Sequence, residues 1–441
     1  MIGRRSRRLP AVLSALATAT CLTLAGCGSG SDSGSSGKTE LTFWDDNGGE
    51  ARTPVWKHMI AEFEKANPTI KVNYVGIPIA QAQQKYDTAI AGGGLPDVGG
   101  VSTAMLANLV AQKALDPLDD KIAASSLNGK LNAQVTATVK GTVPDGKLYM
   151  VPMSTNMGVF WYRTDWFKEA GIEPPATWSE FFTAVEKLTD TSKNRYGFTI
   201  RGGAGSIAQM LEVVYGQSGI TEIFDASGKA TVNDPRNVAA LEKLTGLYKK
   251  VTPEADLNND YVKMVAQFDG GNIAVMQHNL GSYNDHVKTL GKDKVAAMAV
   301  PKSDSGVHAI LSNPVTGVGV FATGEKKDAA FKFAEFVASK AMNSYWAEKT
   351  GVLPANTDVN GEPWLTSLQH IDMATKVLND PATKVVQLPY HLPEFNSITK
   401  AETEPLFQKV LLGEMTAKAF LDEMANKLTA AQAAYKQRNG G

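Results

Sequence analysis

Cysteine is almost missing from this chain. Its 441 residues include two, Cys21 and Cys27, both near the start. Everything after residue 27 must therefore fold without a disulfide or a thiolate metal site, and its stability rests on packing. Charge of one sign is also lacking: 44 basic residues face 45 acidic ones, for a formal charge of -1. That balance gives no electrostatic reason to expect nucleic-acid binding. Long apolar runs are lacking too. Only Leu9 to Leu24 qualifies, and it is too short and too weakly hydrophobic to span a membrane comfortably.

Catalytic and metal signatures are equally scarce. Six histidines (His58, His278, His286, His308, His370 and His391) are scattered without HExxH or another metal-ligand spacing. No GxSxG elbow sits on a strand-to-helix turn. Asp45-Asp46 and Asp119-Asp120 are adjacent pairs, but neighbouring side chains point apart, which argues against paired-carboxylate catalysis at either. Gly141 to Lys147 has phosphate-loop spacing, but Leu148 replaces the hydroxyl residue that would hold magnesium. Pro144-Asp145-Gly146 makes it a hairpin turn instead. No cofactor, metal or enzyme class is expected from these residues.

What is present begins with Arg4, Arg5, Arg7 and Arg8, the apolar run, and then Leu24-Ala25-Gly26-Cys27. This resembles the lipobox of bacterial lipoproteins. The resemblance implies a signal peptide at 1–26, cleavage before Cys27 and a diacylglycerol on its sulfur. The next residues, Gly28 to Gly37, are Gly and Ser with one Asp, the composition of a flexible tether through residue 38. Loss of the signal removes four arginines and no acid, leaving 40 basic against 45 acidic residues, a formal charge of -5. About 400 residues remain, enough for more than one domain.

These residues alternate strand and helix signals. Leu41-Thr42-Phe43-Trp44 reads as a strand. A helix follows, capped by Thr53 with Pro54 in its first turn and Trp56, Ile60 and Phe63 on one face. Ile70 to Tyr74 alternates as a second strand, so this is a βα unit that favours a parallel sheet. Strands are also expected at Leu95 to Val98, Leu148 to Pro152, Val159 to Tyr162, Tyr196 to Ile200, Asn272 to Met276, Val295 to Val300 and Val318 to Ala322. Thr177-Trp178-Ser179-Glu180 is a capping box and Asp234-Pro235 opens a helix. Amphipathic helices are expected at Asp328 to Lys340 and Thr416 to Gln437. The fold class is α/β.

Several motifs in order carry a more specific resemblance: Phe43-Trp44-Asp45, Leu95-Pro96-Asp97-Val98, and the stretch from Gly146 through Val151-Pro152, Phe160-Trp161-Tyr162 and Thr177-Trp178-Ser179-Glu180. Phe268 to Met276, Phe331 to Phe336, Gly351-Val352-Leu353-Pro354 and Gly413 with the last helix complete the series. Together they resemble the solute-binding proteins of bacterial carbohydrate ABC importers, the maltose-binding-like family. The resemblance implies a two-lobed periplasmic-binding-protein-like fold of the class II type, crossed by the chain about three times. It places one lobe at 39–154 plus 318–352 and the other at 155–317 plus 353–441. It also implies a cleft that closes on a sugar or oligosaccharide, docking on an ABC permease, a monomer, and lipid anchoring on the extracytoplasmic face of the membrane through Cys27. A glycan-acting lipoprotein using Asp45 or Asp46, and a receptor for a non-sugar solute such as a polyol phosphate, are the alternatives.

Sugar sites combine aromatic platforms with Asp, Asn, Arg or Gln. On that basis Asp45, Asp46 and Asn47 after the first strand are ligand-binding candidates; Ser102 and Thr103 join them because they follow Pro96-Asp97-Val98, where the resemblance implies a ligand-binding acid that this chain lacks. Asn156 stands at the implied crossover, and Arg201 opens a Gly-rich loop. His278, Asn279 and Tyr283 stand where many relatives carry Gly-Pro-Trp; Tyr390 and Phe395 stand near a relative's stacking aromatic. Trp161 and Trp178 are expected in the core.

Overall fold

Alternation in Thr39-Glu40-Leu41-Thr42-Phe43-Trp44-Asp45 buries Leu41, Phe43 and Asp45 on one face of the first strand, β1 (Thr39–Asp45). The computed structural model describes residues 37–439, so the signal segment, Cys27 and nearly all of the Gly/Ser run lie outside the described residues. The Thr53–Ala66 helix leads to β2 (Ile70–Gly76), parallel to β1 over its full length, which is the expected βα unit. Thr53 does not cap this helix. Arg52 holds the cap position, and the Thr53 hydroxyl meets the Tyr74 hydroxyl at 3.0 Å.

β3 (Val98–Ser102) is parallel to β1 on its other side. β4 (Val151–Thr155) begins later than the expected Leu148 start, because the Leu148 N–H is spent on Asp119 Oδ2 at 2.8 Å. The Gly141–Lys147 segment is a turn between the Ala133–Lys140 helix and β4, not a hairpin between strands. Beyond β4 come β5 (Gly158–Arg163), β6 (Tyr196–Thr199), β7 (Ile273–Asn279), β8 (Val295–Met298) and β9 (His308–Leu311). β10 (Thr316–Val320), β11 (Leu353–Pro354) and β12 (Thr383–Val386) complete the set.

These strands form two main sheets, ordered β11-β4-β10-β3-β1-β2 and β6-β7-β5-β8, with β9 and β12 paired in parallel apart from both. Each main sheet has its own core. In the first, Phe43 packs on Trp56 at 4.6 Å and Phe333 at 5.3 Å between ring centres. In the second, Phe160 lies 5.1 Å from Phe181 and 5.7 Å from Trp178, while Trp161 is fully buried. Each such ring contributes roughly 2–3 kcal/mol by leaving water. The capping box forms as expected, Thr177 accepting from the Glu180 N–H while Glu180 takes the Thr177 N–H.

The chain passes between the lobes three times: at Asn156 and Met157 between β4 and β5, at 312–315 between β9 and β10, and after β11. The lobe boundary expected at 318 falls inside β10. β11, expected in the second lobe, hydrogen-bonds to β4 in the first sheet. Ala355 is then in the first core and Val359 in the second.

A closed amide network fixes that last passage. Asn343 Nδ2 donates to the Met153 carbonyl at 2.7 Å, and the Asn356 N–H donates to Asn343 Oδ1 at 2.9 Å. Asn356 Nδ2 donates to the Ala338 carbonyl at 2.9 Å, and both asparagines are buried. Asn343→Ala strands the buried Asn356 N–H and leaves the Met153 carbonyl with the Ala355 N–H alone. It is expected to cost about 1–3 kcal/mol, read as a lower urea midpoint with an unchanged slope. A loss under about 1 kcal/mol would contradict this role.

Candidate functional site

Because only Asn156 and Met157 separate β4 from β5, the carboxyl ends of β1, β3 and β4 adjoin the edge of the second sheet that carries the start of β5 and the end of β7. The crevice beyond the carboxyl ends of strands is where α/β folds place ligands. The Leu280 N–H donates to Asn156 Oδ1 at 3.1 Å. The same oxygen accepts the Met157 N–H at 2.9 Å, which leaves the Asn156 amide NH2 without a partner among the described residues.

On the first lobe, Asp45 and Asp46 have different duties. Asp45 is fully buried and saturated. It accepts from the Tyr74 hydroxyl at 2.9 Å and the Asn47 N–H at 3.2 Å, and meets Arg52 Nη2 at 3.4 Å. Burial and the neighbouring carboxylate push the Tyr74 hydroxyl up to about 12. Asp45 is thus a strut rather than an open ligand group. Asp46 is 6% exposed and receives no hydrogen bond from another described side chain. Its carboxyl lies over Gly100 of β3, where a Cβ would come within 2.5 Å of Oδ1, so only glycine leaves it room. Burial raises Asp46 to about 6, partly offset by Arg52. Asn47 and Ser102 stay partly exposed at the same edge. Thr103 is buried, its hydroxyl accepting the Val315 N–H at 3.1 Å; it ties a helix to the second passage and is not open to ligand.

On the second lobe, Arg201 follows β6 on a loop held from below. Asp256 Oδ2 accepts the Ile200 N–H at 2.6 Å, and the Asp256 and Asn259 carbonyls accept the Gly202 and Gly203 N–H groups. Gly205, at φ +86°, brings its backbone under the guanidinium, and a Cβ there would lie 2.7 Å from Arg201 Nη1. Arg201 is largely buried, yet it makes no hydrogen bond or ion pair among the described residues, and its Nε is enclosed without an acceptor. Burial draws its pKa down, opposed by the charges of Asp260 and Glu404. Glu404 accepts the Gly205 N–H, and burial raises its own carboxyl. Beside them the Tyr261 ring, 40% exposed, stacks on His278 at 4.8 Å and 13°. Burial, then the Arg201 charge, lower His278 to about 3, so it is a neutral ring with an unpartnered Nδ1.

The remaining expected residues are placed differently. The Asn279 side chain accepts the Gly281 N–H at 3.0 Å and so caps a turn. Tyr283 stacks on His370 at 4.0 Å within an aromatic cluster that includes Trp161. Phe395 is buried in the second core with its edge to Tyr390. Phe395 is closed to ligand where contact was expected, while Asn279 and Tyr283 are engaged in these contacts but stay half-exposed. Tyr390, though buried, still borders a crevice between the lobes with Pro393 and Asn396 on one side and Gln83, Ala104 and Asn108 on the other. Tyr261, Asp260 and Glu404 were missed. Asn259-Asp260 preceding Tyr261 is a helix cap, and an aromatic in the first exposed turn after it was the available signal.

One cluster imitates catalytic machinery. Asp269 Oδ1 lies 2.6 Å from His286 Nδ1, and His286 Nε2 lies 3.0 Å from the Ser282 hydroxyl. Ser282 and His286 are fully buried, however, and the hydroxyl donates to the Asn279 carbonyl at 3.2 Å. The relay braces the turn after β7; no substrate reaches the hydroxyl. Among the described residues, no group of His, Cys, Asp and Glu has the makings of a metal site.

A family model described as bacterial extracellular solute-binding protein matches residues 58–374. An ABC substrate-binding protein from Listeria monocytogenes, solved in complex with cycloalternan, is similar in structure. Its TM-score is 0.78 at 26% identity, covering 90% of this chain and 99% of that one. An arabinooligosaccharide-binding protein of Bacillus subtilis is 27% identical over 65% of this chain and 66% of its own length. A mannitol-binding protein of Pseudomonas aeruginosa is 25% identical over 80% and 85% respectively.

Asp46 makes the interlobe edge pH-sensitive without any ligand. Its carboxyl titrates near 6 when folded against 3.8 in the unfolded chain. Over that window the folded state holds the extra proton, so this group's contribution to stability falls as pH rises. Asp46→Asn should therefore gain stability relative to wild type as pH rises from 4 to 6, with no further change above. Parallel melting curves for the two proteins across that range would contradict the placement.

Proposed function

Because the chain belongs to the bacterial extracellular solute-binding proteins, we propose that it captures a neutral sugar, oligosaccharide or polyol between its lobes and delivers it to an ABC permease. One observation carries the reading: Arg201 is a largely buried cation that makes no hydrogen bond within the described residues, its Nε enclosed without an acceptor. Burying such a group unpaired is costly unless a ligand completes it. Hydroxyls of a sugar or polyol accept from Arg201, donate to Asp46 on the other lobe, and leave CH faces for Tyr261. Closure then follows from contacts made only when both lobes reach the ligand.

Local charge favours a neutral ligand. Asp260 and Glu404 flank Arg201, and Asp46 lies on the opposing lobe. Arg163, at the end of β5, is committed to Asp165 at 2.6 Å. A polyol phosphate is therefore the weaker reading. Enzymatic turnover is weaker still, since Asp45 is saturated and the Ser282 relay is sealed. In this reading the chain is a monomer on the extracytoplasmic face of the membrane, anchored by lipid on Cys27. A diacylglycerol supplies the two acyl chains that stable anchoring takes.

Calorimetry over neutral mono- and oligosaccharides and hexitols tests the capture. Arg201→Ala is expected to weaken the best ligand about 10- to 100-fold and Tyr261→Ala about 3- to 10-fold. Equal affinity in Arg201→Ala would move the site elsewhere. Cys27→Ala should bind as well as wild type while leaving the membrane fraction; its retention there would refute the anchor.

A further inference from the structure

Glu212 is a buried acid with no cation beside it. It stands midway along the Ser206–Ser218 helix, 6% exposed. Oε2 accepts from Gln277 Nε2 at 2.9 Å, while Oε1 is enclosed without a hydrogen-bond partner. Gln277 is held in turn by reciprocal bonds to Gln209, at 3.1 Å to its carbonyl and 2.9 Å from its amide. The carboxyl presses on Gly158, where a Cβ would collide with both oxygens, and the Leu311 N–H faces it.

Those two neighbours are where lobe passages begin. Gly158 is the first residue of β5 after Asn156 and Met157, and Leu311 is the last of β9 before Ser312. We propose that Glu212 is a positioning residue of the interlobe hinge, a neutral acid that lets β5 and β9 seat on its helix and whose ionisation loosens both passages. The physical basis is an asymmetry of cost. A neutral carboxyl with one amide donor sits cheaply in this site, whereas a carboxylate there has no counterion and lacks enough donors. Burial raises the group to about 7, partly offset by Gln277 and Leu311.

One other buried acid titrates in this range: burial raises Asp256 to about 7, but it holds the loop after β6 and is the same in wild type and Glu212→Gln. The ionisable neighbours on the adjoining strands turn elsewhere, His278 to Tyr261 and His308 to the Val300 carbonyl at 3.0 Å. On the helices packed against this one, Arg236 pairs with Asp234, Lys243 lies over Phe182, Glu242 is exposed and Glu404 is at Gly205. The link to solute capture rests on the reading above, but the loosening is measured without ligand, so either can fail alone.

Hydrogen exchange tests it, comparing wild type with Glu212→Gln at each pH so that intrinsic rates cancel. In peptides spanning 155–160 and 310–316, the two proteins should exchange alike at pH 5.5. Above pH 7 wild type should exchange faster, by up to about tenfold per pH unit, with β1 and β2 unchanged. Equal exchange at pH 8.5 overturns the proposal. Should the variant fail to fold, carbon-13 NMR of the wild-type glutamate carboxyls decides. One carboxyl titrating near 7, in step with faster exchange at the passages, supports it; all of them titrating below 5.5 overturns it.

Discussion

β10 lies between β3 and β4, antiparallel to both, and comes from a part of the chain that has already built most of the second lobe. The first sheet cannot close until the chain returns through the interlobe passage to fill that place. Its glycines fit the gap: a Cβ at Gly317 would collide with the Val151 carbonyl, and one at Gly319 would crowd Leu115 and Val101. This one insertion makes the lobes interdependent while leaving them joined only by short passages. Two separate cores linked in this way are stiff within and can bend between.

The candidate site follows from the same arrangement. Strand ends converge where the chain changes lobes, so Asp46, Ser102 and Asn156 come from one sheet and Arg201 and His278 from the other. Asp46 offers an acceptor on one lobe and Arg201 a cation on the other. Solute capture by closure needs that division, because a ligand can favour the closed state only through contacts the open state lacks.

The sequence made the α/β alternation, the Thr177–Glu180 capping box and the core tryptophans legible, since each is a local pattern with a local cause. Strand limits at β4 and β10 were less legible. Leu148 gives up its N–H to an aspartate far along the chain, and β10 starts where its partners' register dictates. At the site, residue type alone did not separate Asp45 from Asp46. The first is consumed by Tyr74 and Arg52, partners that only the folded sheet brings close. Tyr283 and Phe395 read as platforms because they are aromatic, yet His370 and Tyr390 draw them inward. Tyr261 went unnoticed because its value lies in the His278 ring beneath it, contributed by another element.

Small-angle X-ray scattering, with and without a saturating neutral sugar or hexitol, tests the central claim most directly. Capture between lobes joined at three passages predicts a smaller radius of gyration with ligand, and no such contraction in Arg201→Ala at the same concentration. Saturated binding with an unchanged scattering curve would contradict it, placing the ligand on one lobe rather than between them.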